Sequence, residues 1–255
     1  MKSTALATFL LLLAASAQAQ ELAAGISRDA IEITSSFTGT DVVVFGAIES
    51  EVGDGLPASA YDIVVVIRSD RPHTVTVRKK DRVGPIWVNN ETRSFAEVPG
   101  FYFVASTKPL KAIAGEEVLE ELELGLDHLR LGPAPGTIGG PRTFREAIVR
   151  AKWRGQLYSE HPGGISFLSS TLFRTTALLP ANVPAGNLKV TVFLFANGQV
   201  VEAGRSSTTL YIDKTGIERR LSNFARNDPW LYGLAAVILS VIAGFFAALA
   251  FRERE

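Results

Sequence analysis

The 255-residue sequence contains no cysteine. That absence excludes disulfides, thiolate nucleophiles, thiolate metal ligands and a lipid-modified cysteine behind a leader. Histidine is scarce: His73, His128 and His161 lie far apart, with no pair at helical ligand spacing. A zinc site would therefore need folding to gather them beside a carboxylate. Net charge is also missing, since 26 basic residues balance 26 acidic ones. No global field draws nucleic acid or an anionic substrate, so nucleic acid is not an expected partner. There is no P-loop, no H-E-x-x-H and no G-x-S-x-G elbow. "HPGGIS" (161–166) puts a serine near a histidine but reads as a turn before a strand. The expectation is a protein that is not an enzyme and carries no cofactor.

What is present is apolar sequence, 47% of the chain, and it is concentrated at both ends. "MKSTALATFLLLLAASAQAQ" has the three parts of a secretory signal: Lys2, an apolar run from Ala5 to Ala15, and an A-x-A cleavage site at Ala17–Ala19. The run is too short to cross about 30 Å of hydrocarbon. At the other end, Leu231 to Phe251 carry no charge over 21 residues. A helix of that length rises about 31 Å, one bilayer core. Asp228 suits the cap, Pro229 the first helical position, and Trp230 and Tyr232 the headgroup level. Arg252 and Arg254 follow as the stop-transfer flank. Lys214, Arg219, Arg220 and Arg226 make the other flank basic too, which by charge bias alone argues for the reverse orientation. The signal decides the topology, because it commits the preceding domain to export first.

Between these ends the first part reads as strands. "IEIT" (31–34), "DVVVFGAI" (41–48), "YDIVVVIR" (61–68), "HTVTVRK" (73–79), "GPIWVN" (84–89) and "GFYFVAS" (100–106) are short, β-branched or aromatic, and separated by turn residues. Trp87, Phe101, Tyr102 and Phe103 read as core. After Lys108 the period changes. Val118, Leu122, Leu126 and Leu129 fall on one helical stripe in "GEEVLEELELGLDHLRL", whose first half is acidic. "RTFREAIVRAKWRGQLY" (142–158) reads as a basic helix with Phe144, Ile148 and Ala151 on one face. An acidic helix before a basic one predicts a helical hairpin or a charged docking surface, the alternative being two solvated faces. Strands return at 171–179, 187–195, 198–204 and 207–213. Ile217, Leu221 and Phe224 then predict a short amphipathic helix at the membrane interface.

Three stretches together resemble a known family: "FTGTDVVVFGAI" (37–48); "YDIVVVIR", "GPIWVN" and "PGFYFVAS" (61–106); and "KTGIERRLSNFARNDPWLYG" (214–233). They are similar to an uncharacterised family of alphaproteobacterial transmembrane proteins, over about Glu21 to Arg252. The resemblance implies a cell-envelope location and brings no catalytic residues. It hints at a permease of the sulfite-exporter type as a partner.

The expected fold is mainly β: an immunoglobulin-like antiparallel sandwich ectodomain, in one or two lobes, with a helical insertion and one C-terminal transmembrane helix. The expected layout is a signal peptide (1–19), a first β-rich part (20–108), a helical insertion (109–165) and a second β-rich part (166–213). A juxtamembrane segment (214–229), the membrane helix (230–251) and a cytoplasmic tail (252–255) follow. The bulk would lie in the periplasm, anchored in the inner membrane. Ala236, Ser240, Gly244 and Ala248, each four apart, place small side chains on one helix stripe. Such a stripe lets a second helix approach closely, from another protein or another copy; Val237, Ile238, Val241, Ile242 and Phe245 would face lipid. The leading expectation is a binding or accessory component of an envelope complex. A solute-binding or sensing ectodomain, with a pocket at Trp87 or Phe101, is the alternative; an enzyme would need His128 or His161 beside carboxylates in a cleft.

Overall fold

The structure, a computed structural model, describes residues 22–48, 61–136, 142–214, 225–226 and 228–252. The leader (1–19), most of the juxtamembrane segment and Arg254 lie outside the described residues. In chain order the strands are β1 (Leu22–Ile26), β2 (Ala30–Ile33), β3 (Gly39–Ile48), β4 (Asp62–Ser69), β5 (Pro72–Val83), β6 (Ile86–Pro99), β7 (Tyr102–Ser106), β8 (Tyr158–Pro162), β9 (Ile165–Phe167), β10 (Leu172–Pro180), β11 (Gly186–Ala196) and β12 (Gln199–Lys214). The helices are α1 (Leu110–Ile113), α2 (Glu116–Glu121), α3 (Arg142–Arg154) and α4 (Pro229–Arg252).

Side-chain alternation explains the layering. In β10, Phe173, Thr175, Ala177 and Leu179 point inward while Arg174, Thr176 and Leu178 point out, the period of two that a half-buried strand requires. In β4, Ile63 to Ile67 are all buried, so this strand is covered on both faces. The chain forms a four-stranded antiparallel sheet in the order β1-β3-β10-β9 and a six-stranded sheet in the order β2-β12-β11-β4-β7-β8. Pairing in the larger sheet is antiparallel except at its margins, where β2 runs parallel to β12 and β8 parallel to β7.

The two sheets enclose the main core. Val42, Val44, Phe173 and Leu179 from the smaller sheet meet Ile63, Val65, Phe103, Val190 and Val192 from the larger, with Phe101 just ahead of β7. Gly46 makes room for this packing: a Cβ there would sit 2.6 Å from both the Phe173 ring and the Ala23 carbonyl oxygen. The other face of the larger sheet carries Val64, Val66, Tyr102, Val104 and Phe193, covered by Leu110, Ile113, Leu119, Leu124 and Leu129. The molecule is therefore sheet, sheet and helical cover in sequence.

Three expectations need correction. The acidic helix does not run through to Leu131 but stops at Glu121. The Leu124 amide bonds the Leu119 carbonyl across the break, and Glu123 and Gly125 take positive φ (54° and 95°) that ends the helix. The buried leucines are accordingly Leu119, Leu124 and Leu129, with Val118, Leu122 and Leu126 only partly buried. The basic helix ends at Arg154, with Phe144 and Ile148 buried but Ala151 exposed. Trp87 is not core: it is 66% exposed near the end of the β5–β6 hairpin, whereas Phe101, Tyr102 and Phe103 are buried.

That hairpin forms a separate two-stranded sheet. Its base packs on α3, with Phe95, Val98, Val75 and Val77 against Phe144 and Ile148. Its turn is Gly84–Pro85, with Gly84 at φ 60°, the positive value a two-residue hairpin turn needs at its first central position. Helix α4 is long and apolar enough to cross a membrane, and none of Pro229–Ala247 is buried.

Candidate functional site

On α4, Trp230 and Tyr232 are exposed in the first turn. Ala236, Ser240 and Gly244 lie four residues apart along the helix and are all exposed; the Ser240 hydroxyl donates to the Ala236 carbonyl at 2.8 Å. That bond satisfies the hydroxyl within the helix, so Ser240 contributes small size rather than a free donor. A Cβ at Gly244 would meet nothing within 4 Å. Ala248 and Arg252 continue the same helix.

The β-rich domain has a larger candidate site that the charge pattern foreshadowed only in outline. Where the acidic α2 segment faces the basic α3, a cleft of about 600 Å³ opens. Glu116, Glu120 and His128 line one wall and Arg142, Arg145 and Arg150 the other, with Trp153 also lining it. Helix α3 is held by Phe144 and Ile148, which turns Arg142 and Arg150 to solvent. Arg145 donates to the Asp127 carbonyl and ties the two walls together.

His128 is the buried element of this cleft. Its Nδ1 bonds the Leu124 carbonyl at 2.6 Å and its Nε2 bonds Glu116 Oε1 at 3.0 Å. The ring is thus held at both nitrogens, by a backbone carbonyl on one side and a carboxyl group on the other. The hydrogen bond from His128 holds the Glu116 carboxyl below the usual carboxylate range. The break in α2 thus has a purpose that the sequence stripe concealed: it brings His128 back onto the first turn of the helix.

Beneath the cover lie two buried tyrosines: Tyr102 ties the cover to the sheet, and Tyr158 ties the sheet to the end of β6. Tyr102 donates to the Glu123 carbonyl (3.0 Å) and accepts from the Gly125 amide (2.9 Å), while Tyr158 donates to the Pro99 carbonyl (2.8 Å). Burial pushes both phenols well above their ordinary range. A smaller cleft of about 260 Å³ lies beside them. There Arg68 pairs with Glu123 at 2.7 Å, and the Arg205 guanidinium sits 5.1 Å over the Phe193 ring.

The other histidines are elsewhere. His161 stacks on Phe103 with ring centroids 5.2 Å apart, and His73 lies exposed on β5. Among the described residues no group of three His, Asp or Glu side chains could hold a metal ion.

A solved structure with some likeness is the N-terminal domain of the Streptococcus gordonii adhesin Sgo0707, 13% identical, with a TM-score of 0.28. The match covers 74% of this chain but only 32% of that one, so the chain spans about a third of its length. No curated protein matches the chain. The family described as "Putative transmembrane protein (Alph_Pro_TM)" matches residues 21–253. That span takes in both sheets, the charged cleft and the apolar helix, and the chain belongs to this family of transmembrane proteins.

Proposed function

We propose that this chain is a non-catalytic binding or accessory component of an envelope complex, anchored in the bacterial inner membrane by α4 with its bulk in the periplasm. The observation that carries the reading is the cleft between α2 and α3. It presents Arg142 and Arg150 to solvent on a helix that the hairpin base holds rigidly. Fixed, exposed guanidinium groups suit carboxylate-bearing protein surfaces, because their fork geometry pairs two oxygens at once. The small-residue stripe on α4 supplies a second contact, within lipid, for a permease or another copy of this chain.

The strand order supports an immunoglobulin-like ectodomain. With β1, β3, β10 and β9 taken as A, B, E and D, and β12, β11 and β4 as G, F and C, both sheets follow the immunoglobulin arrangement. Strand β7 then takes the place of the extra strand beside C in variable-type domains. This architecture presents loops and edges on which binding sites are built.

A crosslinkable residue at Val149 in the full-length protein, in native membranes, tests the reading. A discrete adduct is expected with the wild-type background, falling at least about ten-fold when Arg142 and Arg150 become glutamate. Undiminished adducts would remove the cleft from the interface. Leucine at Ser240 and Gly244 examines the membrane contact separately.

The solute-binding reading has one observation in its favour: 600 Å³ lies within the size range of small-molecule sites. Its aromatic lining would be Trp153 rather than Trp87 or Phe101, and a ligand-dependent thermal shift abolished by R150E would establish it. For an enzyme, His128 beside Glu116 in a cleft is the suggestive pair. Both ring nitrogens already have protein partners, so the ring holds structure together and neither nitrogen is turned to a substrate.

A further inference from the structure

We infer that the tip of the β5–β6 hairpin is a second membrane contact, which dips into the surface of an anionic bilayer. The hairpin is buried only at its base; the last packed rung pairs Val77 with Arg93. Six further residues of β5 carry it on to the Val83–Ile86 rung, about 20 Å at the rise of an extended strand. Nothing in the described structure packs on that outer part, yet its end is apolar. Val83 and Ile86 are each 59% exposed and Trp87 is 66% exposed, with Pro85 in the turn between them. The alternation of a solvated hairpin would put polar side chains on both faces at such a tip. Here register sets Val83 beside Ile86 on one face and Trp87 beside Arg82 on the other, so an exposed apolar side chain stands on each face of the end.

Just behind the apolar end the charge is positive. Arg78, Lys79, Lys80 and Arg82 crowd the same strand, and the acidic residues among them are already engaged. Asp81 takes Asn90 at 2.7 Å and Lys79 at 3.5 Å, and Glu91 takes Arg93 at 2.7 Å. Arg82 lies directly across from Trp87. An aliphatic point, an indole at its shoulder and a basic collar match the layers of an anionic leaflet: acyl chains, carbonyl region and phosphates. A protein partner fits less well. The exposed apolar tip amounts to on the order of 300–400 Å², well under the roughly 800 Å² per side of a stable interface. A bilayer needs no such area, because a domain tethered to it meets it at high effective concentration. The inference uses the family's membrane helix but not the partner proposed for the cleft.

The test uses the full-length chain in lipid vesicles with Trp153→Phe and Trp230→Phe, both exposed positions, so that Trp87 is the remaining tryptophan. Insertion to the usual interfacial depth of about 5–10 Å brings the indole within reach of brominated acyl chains, and its emission should fall about two-fold in vesicles containing anionic lipid. Quenching should shrink in purely zwitterionic vesicles, in about 0.5 M salt, and in a K80S/R82S variant. Ile86→Glu should abolish it while leaving the circular dichroism spectrum intact, since nothing packs there. Trp87 emission that stays at its water-exposed position with unaltered intensity in brominated anionic vesicles would overturn the inference. So would protection that requires an added membrane-protein extract, which would assign the tip to a protein.

Discussion

The six-stranded sheet has two faces of opposite character. Toward the smaller sheet it is almost wholly aliphatic and aromatic, with Ile63, Val65, Ile67 and Phe103 meeting Val42, Val44 and Phe173. Toward α1 and α2 it carries the Tyr102 hydroxyl, which bonds Glu123 and Gly125, so the segment above is held by polar ties as well as by leucines. Apolar packing is non-directional and accumulates over area, whereas a polar tie fixes one geometry and is lost as a unit. The first face therefore builds the domain and the second positions the cleft. Regions of low packing and many polar ties are also where local opening occurs before global unfolding.

The largest expected effect lies on the aliphatic face. Phe173→Ala removes a fully buried ring and should lower global stability by about 3–5 kcal/mol, read by denaturant unfolding. A loss no greater than that of a surface substitution would erase the distinction between the faces. Tyr102→Phe is next. It strips one partner from both the Glu123 carbonyl and the Gly125 amide, at a cost of about 1–3 kcal/mol. Hydrogen exchange should quicken over 115–131 well before it does in β4 or β11. Uniform acceleration would mean that the cover and the sandwich open together.

The smallest effect is one of pH. The folded-state pKa of Glu116 is depressed below 4.5 by its bond from His128. Its contribution is thus fully present above that ordinary value and fades as pH falls through the folded one. Glu116→Gln should flatten the acid loosening of the cover while leaving the neutral-pH melting temperature of the sandwich nearly unchanged. An identical acid profile in the variant would assign the loosening to other groups.

Much of the sandwich was legible because its strands are β-branched runs bounded by turn residues, as in "DIVVVIRS" and "NLKVTVFLF". Strand β1 was not: "LAAGI" is mostly small residues, and it becomes a strand by pairing with β3. Strand β8 was missed: its first residue, Tyr158, was read as the end of a helix and His161–Pro162 as a turn, because its pairing is parallel and at the sheet margin, where alternation is weak. The helical cover misled for a different reason. Seven leucines and valines within 118–131 allow more than one stripe, and only tertiary contact with Tyr102 and Phe193 selects Leu119, Leu124 and Leu129. The acidic and basic halves of the cleft were visible as composition. The fold-back that sets His128 on Glu116 depends on the backbone at Glu123 and Gly125, which no period reports. Trp87 illustrates the cost of treating an aromatic in a strand pattern as core: hairpin length carried it beyond everything it could pack on.

The parallel pairing of β2 with the last rungs of β12, from Tyr211 to Lys214, has a mechanical meaning. Strand β12 is the one that leads toward the apolar helix, and it is gripped on one side by β11 and on the other by β2. A pull applied along the axis of β12 would load two ladders side by side in shear. Because these bonds must slip together rather than peel one at a time, the domain can be tugged by its own tether without unravelling from that end.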